Sequence, residues 1–235
     1  HFDLVYVAYN TGDRGLFELP KPLFGAKTGS LLSSEIIRIE ASDFDGDGDM
    51  DLVLCASLDP MFPGFSEEAS VILARNGGDG RFSLVNLLLS GNVTDADDVV
   101  LLGFYWCSDL VVADLNGDGH DDIVVSVDYG DPESLLLYFE NDGSGAFRQF
   151  VVSDSLVGGR AYLDIGDMDD DGSLDIVVAG TVRDAVFIFF NELSHTGNFV
   201  TIVVDIEVCN AVAVAVGAVV SNGQSSLGIV WVSPG

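Results

Sequence analysis

An acidic nine-residue stretch between two apolar runs occurs three times in this chain, and no other feature limits the fold so tightly. It is found as Asp43–Asp51 within ASDFDGDGDMDLVLCA, as Asp114–Asp122 within VADLNGDGHDDIVVSV and as Asp167–Asp175 within IGDMDDDGSLDIVVAG. Each copy has the form D-x-[DN]-x-D-G-x-x-D. A fourth copy, Ala213–Val232, keeps the apolar runs but has lost the acidic residues. A second unit interleaves with the first: an apolar run, Asn, a Gly-containing turn, then Gly-x-Phe. Its copies are Tyr6–Phe17, Ile72–Phe82, Leu137–Phe147 and Ile188–Phe199. Phe17, Phe82 and Phe147 are 65 residues apart, and Phe199 follows after 52. Repetition at such a period decides the architecture before any local propensity does.

Gly, Asn and Asp tolerate the positive φ that tight hairpin turns require, so each unit reads as a β-hairpin. Helical spacing is nowhere sustained, so helix content is expected to be minimal. Four copies of each hairpin make four four-stranded sheets. That is the pattern of an all-β propeller, in which sheets pack radially and leave only short edges. The expected blades are residues 25–90, 91–152, 153–204, and 205–235 completed by 1–24, within a single domain of 235 residues. Three closures follow: the ends meet within one molecule, each end completes a blade of a neighbour, or the chain is an excerpt of a longer propeller. The start at His1 is that of a processed or excerpted product.

Charge narrows the partners. With 9 Lys+Arg against 38 Asp+Glu the formal net charge is −29, which repels a phosphate backbone and excludes nucleic acid. An anionic membrane surface is disfavoured for the same reason. Hydrophobic residues make up 48% of the chain, enough for a sizeable core. The longest apolar run, Ala211–Val220, is about half of a bilayer span and reads as a buried strand. Three cysteines, Cys55, Cys107 and Cys209, allow at most one disulfide. Buried free thiols are the expected state, with a Cys107–Cys209 bridge as the alternative. Asn92-Val93-Thr94 is an N-glycosylation sequon that matters if the protein is secreted.

One acidic loop alone could be a solvated turn; three in register point to a cation. Calcium takes six to eight oxygen ligands, and a tight loop with a carboxylate at alternate positions supplies them. The side-chain ligands expected in the first loop are Asp43, Asp45, Asp47 and Asp51, with the Asp49 carbonyl. In the second they are Asp114, Asn116, Asp118 and Asp122, with the carbonyl of His120. In the third they are Asp167, Asp169, Asp171 and Asp175, with that of Ser173. Gly48, Gly119 and Gly172 stand where the chain must reverse. The closing Asp at the ninth position and the flanking strands exclude an EF-hand.

The loops, their strand flanks and the downstream N-x-G-x-G-x-F hairpins resemble FG-GAP/VCBS repeats, found in integrin α-subunit propellers and in secreted microbial and fungal proteins. The likeness covers almost the whole chain. It implies an extracellular or cell-surface propeller holding three Ca²⁺. Two departures stand out: family propellers often have seven blades, and the fourth loop here, Gly217–Gly228, has no ligands and should be metal-free.

Acidic loops and Asn-Gly turns fall on one face of the expected propeller. Two long connections lie on the other, Leu58–Ala69 and Gly91–Ser108. They carry Met61, Phe62 and Phe65, and Phe104, Tyr105 and Trp106, candidates for a recognition surface or else for filling between blades. An adhesion or assembly module that binds protein or glycan is the favoured function. A lectin with sugars between blades and a subunit of a self-assembling filament are the alternatives. No Ser/His/Asp, Cys/His or zinc spacing is present, so no enzyme is expected.

Overall fold

The computed structural model describes residues 6–8, 21–22, 35–57, 69–89, 93–94, 100–101, 106–128, 133–157, 161–180, 185–194, 197–205, 213–221 and 224–232. All regular structure among them is β. Near the N-terminus β1 (Tyr6–Val7) pairs with β2 (Lys21–Pro22). β3 (Glu35–Ser42), β4 (Asp51–Ser57), β5 (Ala69–Asn76) and β6 (Phe82–Leu89) form the first four-stranded antiparallel sheet, in chain order. A short ladder joins β7 (Val93–Thr94) to β8 (Val100–Leu101). The second sheet is β9 (Trp106–Ala113), β10 (Asp122–Asp128), β11 (Glu133–Asn141) and β12 (Phe147–Val157), again in chain order. The third is β13 (Ala161–Gly166), β14 (Asp175–Gly180), β15 (Ala185–Glu192) and β16 (Asn198–Asp205). A two-stranded sheet of β17 (Ala213–Ser221) and β18 (Gln224–Val232) ends the described part.

The three full sheets stack face to face, with first strands neighbouring one another: β3 packs on β9, β9 on β13, and β13 on β17. Three four-stranded antiparallel sheets without helix are consistent with a propeller. Stacking covers both faces of a sheet, and this explains why the second strands are almost wholly apolar and buried along their length. Every residue of Ile123–Val127 and of Ile176–Gly180 is buried. The layer between the first two sheets holds Phe44, Val53, Leu73, Leu110, Val125 and Phe139. The layer between the second and third holds Val111, Leu136, Tyr138, Leu163, Val178 and Phe189. Burying each such side chain contributes roughly 1.5–3 kcal/mol. Asp109 adds a polar tie between them. Its Oδ1 accepts the N–H of Leu110 at 3.0 Å and its Oδ2 that of Leu163, on the next sheet, at 2.9 Å.

The cysteine expectation is overturned. Cys55 and Cys107 form a disulfide between β4 and β9, their Cα atoms 5.4 Å apart. Equal distance from the acidic loops does not decide which cysteines face each other. The bridge instead joins the second strand of one sheet to the first strand of the next, which stacking brings together. Trp106 also differs from its expected place: it opens β9 and its backbone pairs with Asp128 of β10, so it belongs to a strand and not to a loop. At the N-terminus, Tyr6 and Val7 pair with Pro22 and Lys21, beyond the expected turn before Phe17. Met61, Phe62, Phe65, Phe104, Tyr105, Asn92 and Cys209 lie outside the described residues.

Candidate metal centres

The three acidic stretches are the connections β3–β4, β9–β10 and β13–β14, and they share one fold. The first Asp organises each loop by accepting backbone N–H groups. Asp43 takes those of Asp47 and Gly48 at 3.1 and 2.9 Å, and Asp167 takes those of Asp171 and Gly172 at the same distances. Asp114 takes those of Gly117, Asp118 and Gly119. The fifth residue makes a smaller turn: Asp47, Asp118 and Asp171 accept from Asp49, His120 and Ser173. Gly48, Gly119 and Gly172 sit at φ of 92, 91 and 91°, a region closed to most side chains, as the reversal requires.

The closing Asp behaves differently. Asp51, Asp122 and Asp175 are buried, and each ties the loop to the third strand of its sheet. Oδ2 accepts the N–H of the loop's second residue, Phe44, Leu115 or Met168. Oδ1 accepts the N–H of Asn76, Asn141 or Asn191 at 2.7, 2.8 and 2.9 Å. Tyr138 adds its hydroxyl to Asp122 at 2.9 Å. Burial pushes all three carboxyl groups up from the ordinary aspartate value, with the backbone donors pulling the other way. A buried carboxylate held in this state favours a positive charge beside it.

Positions one, three and nine converge. Carboxylate oxygens of Asp43, Asp45 and Asp51 lie within 4.8 Å of one another, and so do those of Asp167, Asp169 and Asp175. In the middle loop the third position is Asn116, whose amide nitrogen reaches Asp118 Oδ2 at 3.0 Å. Asp45 Oδ1 is buried with no hydrogen-bond partner. An orphaned anionic oxygen inside a carboxylate cluster is costly unless a cation meets it, so the first loop's residues fit a hard divalent ion.

From the repeat alone, Asn76, Asn141 and Asn191 have only a turn role. Each stands at or next to the end of the third strand of its sheet and ties the hairpin turn to the acidic loop on the same face. Their signal was present: the same Asn precedes the turn in every repeat copy. His120 packs on Gly143, where any Cβ would collide with its imidazole, so loop and turn of the second sheet are in contact.

Acidic loops repeated on successive stacked antiparallel sheets define a β-repeat protein with candidate cation loops. The chain belongs to the FG-GAP-like repeat family, whose model matches residues 43–125 and 114–178, more than half of the 235. It is also similar to integrin alpha-4 of Xenopus laevis, 33% identical over 101 residues. That match takes in 37% of this chain, and the chain spans about a tenth (10%) of the relative's length.

Proposed function

We propose that this chain is an extracellular or cell-surface β-propeller, stabilised by calcium and without catalytic activity, that serves adhesion or assembly by binding a protein ligand. The observation that carries the calcium reading is Asp45 Oδ1, buried and unpartnered among the carboxylates of the first loop. By the shared loop fold, side-chain oxygens of Asp43, Asp45, Asp47 and Asp51 with the Asp49 carbonyl hold the first ion. Asp114, Asn116, Asp118 and Asp122 with the His120 carbonyl hold the second, and Asp167, Asp169, Asp171 and Asp175 with the Ser173 carbonyl the third. The similarity to an integrin subunit supports the adhesion role and the location outside the cell. The Cys55–Cys107 bridge supports that location too, since disulfides persist in oxidising compartments.

Four blades closed within one molecule is the architecture we favour. Leu54, Ile72 and Ala74, on the face of the first sheet turned away from the second, are buried, as a closed ring requires of its first blade. Native mass spectrometry tests both readings at once. The expected result is a single-chain mass with three calcium ions, and one ion fewer in Asp45→Ala. A chain without calcium would overturn the metal reading, and a concentration-independent oligomer would favour closure between molecules.

A glycan ligand is the second reading, favoured by a cleft of about 380 Å³ between the second and third sheets. Tyr138 and Phe150 stack at 5.8 Å and Phe199 meets Tyr138 edge-on at 6.1 Å, giving an aromatic wall. Glu140, Arg148 and Asn198 stand around it as polar groups that could bond hydroxyls. Binding on a glycan array that disappears in Phe150→Ala would replace the protein ligand with a sugar.

A further inference from the structure

Asn141 and Asn191 each bind two acidic loops on two different sheets. The side-chain amide of Asn141 donates to the Phe44 carbonyl in the first sheet's loop at 2.9 Å, and to the Asp121 carbonyl in its own loop at 3.1 Å. Asn191 repeats this one sheet further on, donating to the Leu115 carbonyl at 2.7 Å and to the Leu174 carbonyl at 3.0 Å. Both side chains are buried, and their Oδ1 atoms accept turn N–H groups from Gly143 and Leu193. No ordinary turn Asn needs such reach across a sheet boundary.

The carbonyls they reach across that boundary are not arbitrary. Phe44 lies between Asp43 and Asp45, and Leu115 between Asp114 and Asn116, the first and third positions of the acidic loops. The N–H of each already goes to the closing Asp, at 3.2 Å for Phe44 and 3.1 Å for Leu115. The second residue of the loop is therefore pinned on one side by its own sheet and on the other by its neighbour's Asn. Freeing its carbonyl frees the peptide that aims the third-position side chain.

We infer that Asn141 is a positioning residue for the ion sites of loops 43–51 and 114–122 together, and Asn191 for those of 114–122 and 167–175. The inference rests on the calcium reading above. Carboxylates that repel one another spread apart unless outer groups hold them, and losing such a support typically costs 10–100-fold in metal affinity. The middle loop is held from both sides.

Asn141→Asp in the full chain is the sharpest test. It keeps the acceptor for Gly143 and replaces the double donor with an oxygen that faces two carbonyls. The added negative charge by itself would attract calcium, so a fall in affinity cannot come from charge. Calcium titration by calorimetry, with the ion count by native mass spectrometry, should show the first and second sites weakened about 10-fold or more and the third unchanged. In an Asp169→Ala background the same substitution should then leave no tight ion, whereas with Asp45→Ala it should leave one. Asn191→Asp should weaken the second and third sites and spare the first, and it supplies the comparison if Asn141→Asp does not fold. An equal fall at all three sites, or unchanged affinities at all three, would overturn the inference while leaving calcium binding in place. Wild-type protein that takes up no calcium would overturn the calcium reading, and this inference with it.

Discussion

Chelation with EDTA is expected to lower the melting temperature by roughly 8–16 °C, and millimolar calcium to restore it. At a free calcium concentration ten times a site's Kd, binding contributes about 1.4 kcal/mol, so three sites contribute about 4 kcal/mol. A domain of this size shifts by roughly 2–4 °C per kcal/mol, which gives the stated range. The structure says why the loss should be felt across the fold and not in the loops alone. Asp51, Asp122 and Asp175 are at once members of the acidic loops and the anchors of the third strands. Without an ion, the clustered carboxylates of Asp43, Asp45 and Asp51, all within 4.8 Å, repel by about 1 kcal/mol per pair even at the dielectric of water. That repulsion acts directly on the Asp51 bond to Asn76. Differential scanning calorimetry, on protein shown by elemental analysis to start calcium-loaded, decides the matter. An unchanged melting temperature in EDTA would sink the structural role of the metal.

The repeat made the strands legible because its two hairpins differ in chemistry. DGDMDLVLCA and its copies announce a loop followed by a strand buried on both faces, and β4, β10 and β14 begin at the closing Asp in each case. The hairpin turns were legible for the same reason, since Asn and Gly at fixed offsets leave few alternatives. Contacts across sheet boundaries were not. Nothing local in Cys55 or Cys107 shows that the second strand of one sheet faces the first strand of the next. Asn141 reads as a turn residue from its own neighbours, and its bond to the Phe44 carbonyl spans 97 residues. The third loop hides a further detail. Asp170 takes a φ of 62° where the other two loops have Gly46 and Gly117, a conformation Asp tolerates better than most residues. Periodicity reports which face of a strand is buried; it does not report what lies opposite.

Replacing both Cys55 and Cys107 with alanine is expected to cost about 4 kcal/mol, the loop-entropy value for a bridge across 52 residues, and so another 8–16 °C of melting temperature. The bridge closes a span that includes the connection Leu58–Ala69 and nearly all of Gly91–Ser108, which without it would add freedom to the unfolded chain. Its presence is checked first by alkylation of the unfolded, unreduced protein. One labelled thiol per chain is expected and three would refute the bridge. The ion and the bridge then act on opposite ends of the folding equilibrium, calcium by binding the native state and the disulfide by restricting the unfolded one. They are also apart in space. Cys55 is four residues along β4 from Asp51, about 13 Å at strand rise, beyond the distance at which substitutions usually couple. The free-energy loss caused by EDTA should therefore be the same, within about 0.5 kcal/mol, in the cysteine-free variant as in the wild type. A much smaller loss in the variant would mean that the first acidic loop is ordered only while β4 is bolted to β9, and that calcium binding depends on the sheet interface the disulfide holds.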